Sequence, residues 1–500
     1  LFEEAPHPDR RDPPHWWRSD AERCAWRADQ GRGGSGALEA TLGFELPRIE
    51  RLNTRHGHPA DGLEVEPTQL GLFQADYPLA RAVSVRAAPG QLLLPPDLAF
   101  SAAIEGWAAC GVVGWNTARW IPLLNAHDSY GRLRGAAGAL LRHHDGQWRG
   151  SSWAFFGVTN LNLFAPAQPG MSNAFLRIVR SLVDDAYIAS LTTDHDCYRQ
   201  GEEVGFHALV FNGGRAARTL HVTVAIYAGE PADPDAPVES LPVDAPGRPR
   251  TAQEPVANLR FDVSVSPGQT NLVSGCWRPT RFESDFYHLV AHLADGTNAL
   301  DQIAGGFVVR DEATIASGPR LTYRDNYLRF GDRPLFQFGT DDWSYVFTAA
   351  RETPLQWLED MRLRRDLGVT LYENLQFGLP RSAAHEEQLS RKVDGVVQLA
   401  QKYGQIYFAG LLVGYNAAAN DADLERQRDY CARFAVRYAG VPGLIYYLNG
   451  DYRCEPGDAV TPQWNDFLRE RYGGDDALRQ AWGKRAPAQP LGAIPSVNSW

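Results

Sequence analysis

The sequence has few cysteines and no long apolar run. Six cysteines are scattered over 500 residues without a CxxC pair, so neither a disulfide framework nor a cysteine-based zinc site is predicted. No run of about 18 or more consecutive apolar residues appears, which argues against a membrane-spanning helix. The first residues, LFEEAPHPDRRDPPHWW, begin without Met and have no apolar signal-peptide core, so we expect the true N-terminus to be missing.

A basic excess is also lacking. The chain has 49 Lys and Arg against 60 Asp and Glu, a formal net charge of −11. This balance argues against nucleic acid or an anionic membrane as a partner. Apolar residues make up 44% and charged residues 22% of the chain, which is typical of globular proteins.

Three short motifs point to a cofactor or a metal ion, and none has suitable surroundings. GRGGSG (31–36) matches GxGxxG, but no buried strand precedes it, as a dinucleotide-binding loop requires. HHD (143–145) offers metal ligands, but adjacent residues of a strand point to opposite faces. DHDC (194–197) places its ligands in direct succession, which suits a polar turn better than one metal. No cofactor and no metal site is therefore predicted.

Strand and turn patterns divide the chain into segments. Residues 1–66 are polar and irregular, and short β-like runs over 67–170 predict a β-rich accessory domain. Alternating apolar and polar residues with regular turn signals predict an immunoglobulin-like β-sandwich over 172–318, a segment that is all-β in this interpretation. Residues 320–500 are predicted to be α/β, so the fold class is multidomain, β followed by α/β.

Strands and helices alternate after residue 320. A hairpin at YLRFGDRP precedes four apolar strands, and helices are predicted at 354–366, 384–403 and 421–438. Apolar strands separated by helices indicate a parallel sheet, and four such units fit the first half of a (β/α)8 TIM barrel. The segment after Asp451 is too short for four more units, so we expect the barrel to be truncated.

Polar and aromatic residues follow each predicted strand. Reactive residues of (β/α)8 barrels lie at these carboxyl ends. The candidates are Asp342 and Trp343 after the first strand, Glu373 and Asn374 after the second, Tyr415 and Asn416 after the third, and Asn449 and Asp451 after the fourth. Carboxylates and amides bind hydroxyl groups, and aromatic faces stack on sugar rings, so a carbohydrate is the predicted ligand.

Two stretches resemble known glycosidases. YLRFGDRPLFQFGTDDW resembles the entry to the barrel in family 2 and related β-glycosidases, and FLRERYGGDDALRQAWG (467–483) is similar to a segment of family 42 β-galactosidases. Both families belong to the clan of retaining (β/α)8-barrel glycoside hydrolases. The resemblance implies a β-galactosidase-like hydrolase of O-glycosidic bonds that uses two carboxylates about 5–5.5 Å apart. It also raises homo-oligomers as a possibility, because such enzymes often associate.

The resemblance leaves two interpretations of the fourth strand end. In the clan, a Glu directly after an Asn there is the general acid/base, whereas here Gly450 follows Asn449. In the first interpretation, a bulge at Gly450 lets Asp451 act as acid/base while Asn449 binds the sugar 2-hydroxyl. The nucleophile is then expected on a strand beyond the chain, with Glu373 as the stand-in within it. In the alternative, the chain is a catalytically inactive relative that binds carbohydrate.

Overall fold

The structure is a computed structural model. It describes residues 63–66, 82–101, 111–114, 118–128, 133–145, 149–156, 164, 170–232, 254–318, 320–336, 338–342, 353–366, 368–375, 379–380, 382–412, 420–448 and 460–495. By contacts, the chain divides into a first unit, Leu1–Val309 with Thr353–Leu355, and a second unit, Arg310–Glu352 with Gln356–Trp500.

The elements are numbered in chain order. The strands are β1 Leu63–Glu66, β2 Ala82–Ala87, β3 Ala99–Ser101, β4 Gly111–Gly114, β5 Ala118–Asp128, β6 Leu133–His143, β7 Ser152–Phe156, β8 Ala186–Thr193, β9 Cys197–Tyr198, β10 Val204–Asn212, β11 Arg218–Ala228, β12 Ala257–Val265, β13 Thr270–Trp277, β14 Phe286–Asp295, β15 Asn298–Val309, β16 Leu321–Arg324, β17 Tyr327–Phe330, β18 Arg333–Pro334, β19 Gly339–Asp342, β20 Leu371–Leu375, β21 Ile406–Gly410 and β22 Leu444–Tyr447. The helices are α1 Met171–Val183, α2 Glu312–Ile315, α3 Pro354–Asp366, α4 Ala383–Lys402, α5 Asp421–Arg437, α6 Val460–Tyr472 and α7 Asp475–Trp482. None of these described helices is long and apolar enough to cross a membrane.

The first unit begins with antiparallel β structure. Strands β1 and β4 pair with each other, and a five-stranded sheet has the order β3-β2-β5-β6-β7. Val85, Leu124 and Leu140 are fully buried on one face of this sheet. The β-rich character predicted for this part of the chain is observed.

Helix α1 completes the core of this N-terminal sheet. Its sequence MSNAFLRIVRSLV contains no glycine or proline, and the buried residues Met171, Ala174 and Ile178 recur at helical spacing. Their side chains share a core with Val85. The alternation pattern predicts only β structure over 172–318. The structure has a helix at the start of this segment instead, because its apolar side chains pack against the preceding sheet.

Strands β8 to β15 form a two-layer sandwich. Its sheets have the orders β13-β10-β8 and β12-β11-β14-β15-β9. Phe206 and Ala208 of β10 share one buried core with Val222 of β11 and Leu289 of β14. His207 lies on the outward face of β10, since side chains alternate along a strand. The predicted packing of two sheets is therefore observed.

Ion pairs join the N-terminal sheet to the sandwich within the first unit. Arg142 of β6 donates to Asp185, just before β8, at 2.8 Å, and its guanidinium lies over the Tyr187 ring at 4.9 Å. Arg119 of β5 pairs with Asp301 of β15. These side chains are nearly buried, so the pairs specify how the two parts dock.

A two-residue connection leads from α1 to β8. Asp184 accepts a hydrogen bond from Arg218 of the sandwich at 2.6 Å. Asp185, the next residue, accepts from Arg142 of the N-terminal sheet. The connection is therefore bonded to both parts that it links.

The second unit opens with the small antiparallel sheet β16-β17-β18. Asp325 and Asn326 form the turn between β16 and β17 with φ of 56° and 61°. Among residues with side chains, Asp and Asn adopt this left-handed conformation most readily. The hairpin predicted from YLRFGDRP is confirmed as β17 and β18.

A four-stranded parallel sheet follows in the order β19-β20-β21-β22. Helices α3, α4 and α5 connect its strands, and each agrees with the predicted helix to within one residue. Helix α3 begins at Pro354, whose fixed φ suits the first helical position. Ser382 and Asn420 cap α4 and α5 by accepting backbone N–H bonds.

A buried carboxylate connects α4 to α5. Asp394 has only 1% of its side chain exposed. It pairs with Arg437 of α5 and, at 2.5 Å, with Arg310, and it accepts a hydrogen bond from the Tyr438 hydroxyl at 2.9 Å. A buried charge is tolerated only with such partners, so Asp394 fixes this part of the helical layer.

The segment FLRERYGGDDALRQAWG spans the end of α6 and all of α7. Leu468, Leu478 and Ile494 form a small core between these helices and the loop that follows. The buried Asn465 amide makes four hydrogen bonds, two donated to the carbonyls of Thr461 and Ile494 and two accepted from the backbone N–H groups of Gly492 and Ile494. One side chain thus ties the loop to α6.

Candidate functional site

The carboxyl ends of β19 and β20 lie side by side. In the parallel register, Asp341 pairs with Glu373, and Asp342 pairs with Asn374. Neighbouring strands of a sheet are about 4.8 Å apart. The register therefore brings together the backbones of the predicted residues Asp342, Glu373 and Asn374.

Glu373 lies on the face of the sheet that points away from the helices. Its neighbour Tyr372 is buried on the helix side, where the Arg364 guanidinium of α3 lies 4.8 Å from the ring centre. Tyr407 of β21 stacks beside Tyr372 with ring centroids 6.0 Å apart. Because side chains alternate along a strand, the half-buried Glu373 points to the opposite side.

On the helix side, aromatic rings pack between the sheet and the helices. Tyr407 is fully buried, and burial raises the pKa of its hydroxyl above the ordinary value. On β22, Tyr446 contacts Phe434 of α5 with ring centroids 6.2 Å apart. A ligand of this sheet would therefore meet the face that carries Glu373.

Two aromatic rings share that face and were missed by the sequence reasoning. Phe408 of β21 is the register partner of Glu373, and its ring lies 5.2 Å from that of Tyr447 on β22. Both are half-buried. Within the apolar strands FAG and LIYY these aromatics are indistinguishable from core residues, and only the alternation set by Tyr372 and Tyr407 could have indicated them. The face defined by Glu373, Phe408 and Tyr447 is hereafter the inner face.

The other predicted residues follow the same strand ends in sequence. Trp343, Tyr415, Asn416, Asn449 and Asp451 lie outside the described residues. Their roles remain those predicted from the sequence.

The inner face combines a carboxylate with aromatic surface. A carboxylate accepts hydrogen bonds from hydroxyl groups, and a ring covers an apolar surface. Among the described residues, no group of three His, Cys, Asp or Glu side chains is placed to hold a metal ion. The arrangement therefore favours a neutral polyhydroxylated ligand.

Comparison with known proteins gives partial structural similarity. No protein-family model matches the chain, and no curated protein matches it. The β-glucuronidase 2 of Bacteroides uniformis is 13% identical with a TM-score of 0.26, over 58% of this chain and 34% of that one. A putative β-galactosidase of Bacteroides fragilis is 12% identical with a TM-score of 0.24, over 57% of this chain and 38% of that one.

A GH2 β-galacturonidase of Eisenbergiella tayi is 12% identical with a TM-score of 0.21, over 59% of this chain and 44% of that one. The matched part thus spans less than half the length of each of these three glycosidases. The chain is similar to glycosidases, including one of family 2, over part of its length. None of these similarities defines its family.

Proposed function

We propose that the chain belongs to a glycoside hydrolase that cleaves O-glycosidic bonds, with β-galactosidase-like organisation. The observation that carries this proposal is the inner face, where Glu373 lies beside Phe408, whose ring in turn contacts that of Tyr447, on a parallel sheet. In the proposed architecture an immunoglobulin-like sandwich precedes the first half of a (β/α)8 barrel.

Strand order supports the barrel interpretation. The order β19-β20-β21-β22 follows the chain without reversal, whereas a doubly wound sheet reverses its order at a switch point. All four carboxyl ends lie at one edge, which is the catalytic edge in barrels of this kind. Helices cover one face of the sheet, as they cover the outside of a barrel.

The proposed mechanism is retaining hydrolysis through two carboxylates. Asp451 protonates the glycosidic oxygen as general acid, while a second carboxylate attacks the anomeric carbon. Glu373 binds a sugar hydroxyl and is the stand-in for that second carboxylate among the described residues. Asn449 binds the 2-hydroxyl of the sugar.

The surrounding candidates supply the rest of the sugar contacts. Trp343 and Tyr415 offer stacking faces in addition to the aromatic pair of the inner face. Asp342, Asn374 and Asn416 offer hydrogen-bonding groups at the same edge of the sheet. Neutral sugar rings present both apolar faces and hydroxyl groups, which this combination matches.

A catalytically inactive carbohydrate-binding protein is the second candidate. Gly450 favours it, since a glycine directly follows Asn449 where the resembled glycosidases have their acid. In that case the inner face binds sugar and no bond is cleaved.

The Asp451→Asn variant separates the two functions. Calorimetric binding of galactosides and turnover of aryl β-galactosides are measured on the wild type, on this variant and on Asp429→Asn, an exposed control on α5. Hydrolysis that is lost in Asp451→Asn with binding retained supports the enzyme. Binding without hydrolysis by the full-length wild-type protein supports the inactive relative, and the absence of binding by that protein refutes both.

Glu373→Gln tests the inner face directly. The amide keeps the shape of the side chain but removes the charge, so sugar affinity is expected to fall about tenfold, the equivalent of one charge-assisted hydrogen bond of about 1.4 kcal/mol. An unchanged affinity would show that the ligand does not contact this face.

A further inference from the structure

Three polar side chains form a hydrogen-bonded chain on the outward face of the sheet β13-β10-β8, within the first unit. The Nδ1 atom of His207 lies 2.9 Å from the Oγ of Ser274, and its Nε2 atom lies 2.7 Å from Oδ1 of Asp194. His207 is about one-third exposed, and Ser274 is exposed. This cluster takes no part in the proposed sugar site.

The sandwich holds the three groups in place. Ser274 of β13 is the direct register partner of His207 on β10. The backbone N–H of Asp194 donates to the carbonyl of Gly205 at 3.0 Å, which anchors the residue after β8. A Cβ at position 205 would lie only 2.7 Å from Cγ of Asp194, so glycine gives the carboxylate room to reach His207.

The hydrogen bonds select one form of the imidazole. An ionised carboxylate only accepts hydrogen bonds, so Asp194 requires the proton of neutral His207 on Nε2. The lone pair of Nδ1 then faces the Ser274 hydroxyl and accepts a hydrogen bond from it. A nucleophile, a base and a group that orients the base are thus aligned in the sense needed for nucleophilic catalysis.

The same face provides apolar surface beside the serine. Leu272, two residues before Ser274, is 55% exposed and pairs with Leu209 across the strands. On the other side, Cys276 donates its S–H to Glu203, and burial together with this bond raises the pKa of the thiol. The thiol is therefore held protonated. The apolar pair Leu272 and Leu209 is placed to contact the acyl chain of a bound ester.

We propose that Ser274 is the nucleophile of a second site, which transfers acyl groups from esters with a short apolar acyl chain. The Ser274 oxygen attacks the ester carbonyl carbon while its proton passes to Nδ1 of His207. The bond to the leaving alcohol breaks, and the alcohol departs with that proton. Water repeats the sequence on the acyl-serine, which releases the carboxylic acid and restores the hydroxyl.

General-base assistance sets the size of the expected effect. A positioned base contributes roughly 10²–10⁴-fold to such a step. His207→Gln keeps a polar side chain but loses the base, so acylation of Ser274 should slow at least about 100-fold. Asp194 acts as a positioning residue, and Asp194→Asn should slow acylation and shift the ring ¹⁵N resonances of His207, because an amide no longer requires the imidazole proton on Nε2.

The full chain is treated with a fluorophosphonate probe and with p-nitrophenyl butyrate, and adducts are located by peptide mass spectrometry. We expect labelling at Ser274, loss of the label in Ser274→Ala, and the slowed rate in His207→Gln. His221→Gln is the matched control, because His221 forms a more exposed histidine–aspartate pair with Asp262, also at 2.7 Å, on the other sheet. Its labelling should stay within about twofold of the wild type.

Several outcomes would overturn the proposal. No adduct at Ser274 in the wild type would do so, as would an adduct that forms at an unchanged rate in His207→Gln. Ester turnover that persists in Ser274→Ala and falls equally in both histidine variants would indicate ordinary surface imidazole chemistry. Circular dichroism of each variant checks that the sandwich is intact.

Discussion

Two buried groups of the first unit, His143 at the end of β6 and Asp185 just before β8, titrate in opposite senses. Burial raises the pKa of Asp185 from 3.8 to about 6, despite its pairing with Arg142. Burial, with a contribution from His144, lowers the pKa of His143 from 6.5 to about 4. Both shifts change the free energy of unfolding of the first unit with pH.

The signs follow from which state binds the proton more tightly. Folded Asp185 holds its proton more tightly than the unfolded chain, so its contribution to stability is full below pH 3.8 and is lost as the pH rises through about 6. His143 contributes fully above pH 6.5, and its contribution is lost as the pH falls through about 4. At 1.36 kcal/mol per pKa unit, each effect amounts to about 3 kcal/mol.

The two effects offset each other in the wild type between pH 4 and 6. Asp185→Asn removes one of them, so the stability of the variant relative to the wild type should rise by about 2 kcal/mol from pH 4 to 6. His143→Gln should show the reverse trend, a relative loss of about 2 kcal/mol as the pH rises over the same range. Any pH-independent cost of replacing either side chain shifts the whole curve and does not alter its slope.

The pH dependence of the free energy of unfolding is measured by hydrogen exchange under urea on peptides from β6 and β8. The exchange rates are corrected for their intrinsic pH dependence. The protection of these peptides reports on the first unit without interference from the second. Parallel curves for Asp185→Asn and the wild type would refute the assignment of a buried carboxyl that titrates near pH 6. Parallel curves for both variants would show that neither side chain is shielded from water as described.

Three further substitutions test the framework. Asp394→Asn should lower the free energy of unfolding of the second unit by about 3 kcal/mol in urea, because a buried amide cannot replace the ion pairs that Asp394 makes with Arg310 and Arg437; a loss below about 1 kcal/mol would contradict this. Asn465→Ala should lower the free energy of unfolding by about 2–4 kcal/mol, because it removes four hydrogen bonds, and should speed proteolysis within 486–495. An unchanged cleavage rate would show that Asn465 does not hold this loop on α6. Gly205→Ala should push the Asp194 carboxylate away and shift the ring ¹⁵N resonances of His207, whereas unchanged resonances would contradict the close approach.

Local signals in the sequence were enough to predict the helices of the second unit. Pro354 at the start of α3 and the polar caps Ser382 and Asn420 mark helix starts through contacts within a few residues. Apolar strands between these helices then predict a parallel sheet. Such features depend on neighbours in the chain, and a single sequence carries that information directly.

Features that depend on distant pairing were missed. Helix α1 has an apolar face whose partner sheet lies far upstream, so the pattern alone did not separate it from the strands that follow. The Ser274–His207–Asp194 cluster spans 80 residues and exists only through the register of three strands. The run 194–197 was interpreted as a polar turn, and nothing local shows that its first carboxylate contacts His207 of β10.

The candidate sugar site was predictable in part for the same reason. The carboxyl ends of parallel strands meet at one edge whatever the register, so Glu373 could be chosen from the sequence. The pairing of Phe408 with Tyr447 depends on which face the helices cover, and that follows from the packing of Tyr372 and Tyr407 beneath them.

The connection at Asp184 and Asp185 has a consequence for the order in which the chain folds during synthesis. Helix α1, which covers the apolar face of the N-terminal sheet, leaves the ribosome only some 15 residues after β7 ends at Phe156. The first sandwich strand, β8, begins only two residues after the end of α1. The residue just before it, Asp185, pairs with Arg142 of the N-terminal sheet, which has been synthesised by then. We therefore expect β8 to contact the N-terminal sheet before it pairs with the other strands of the sandwich, which are synthesised later.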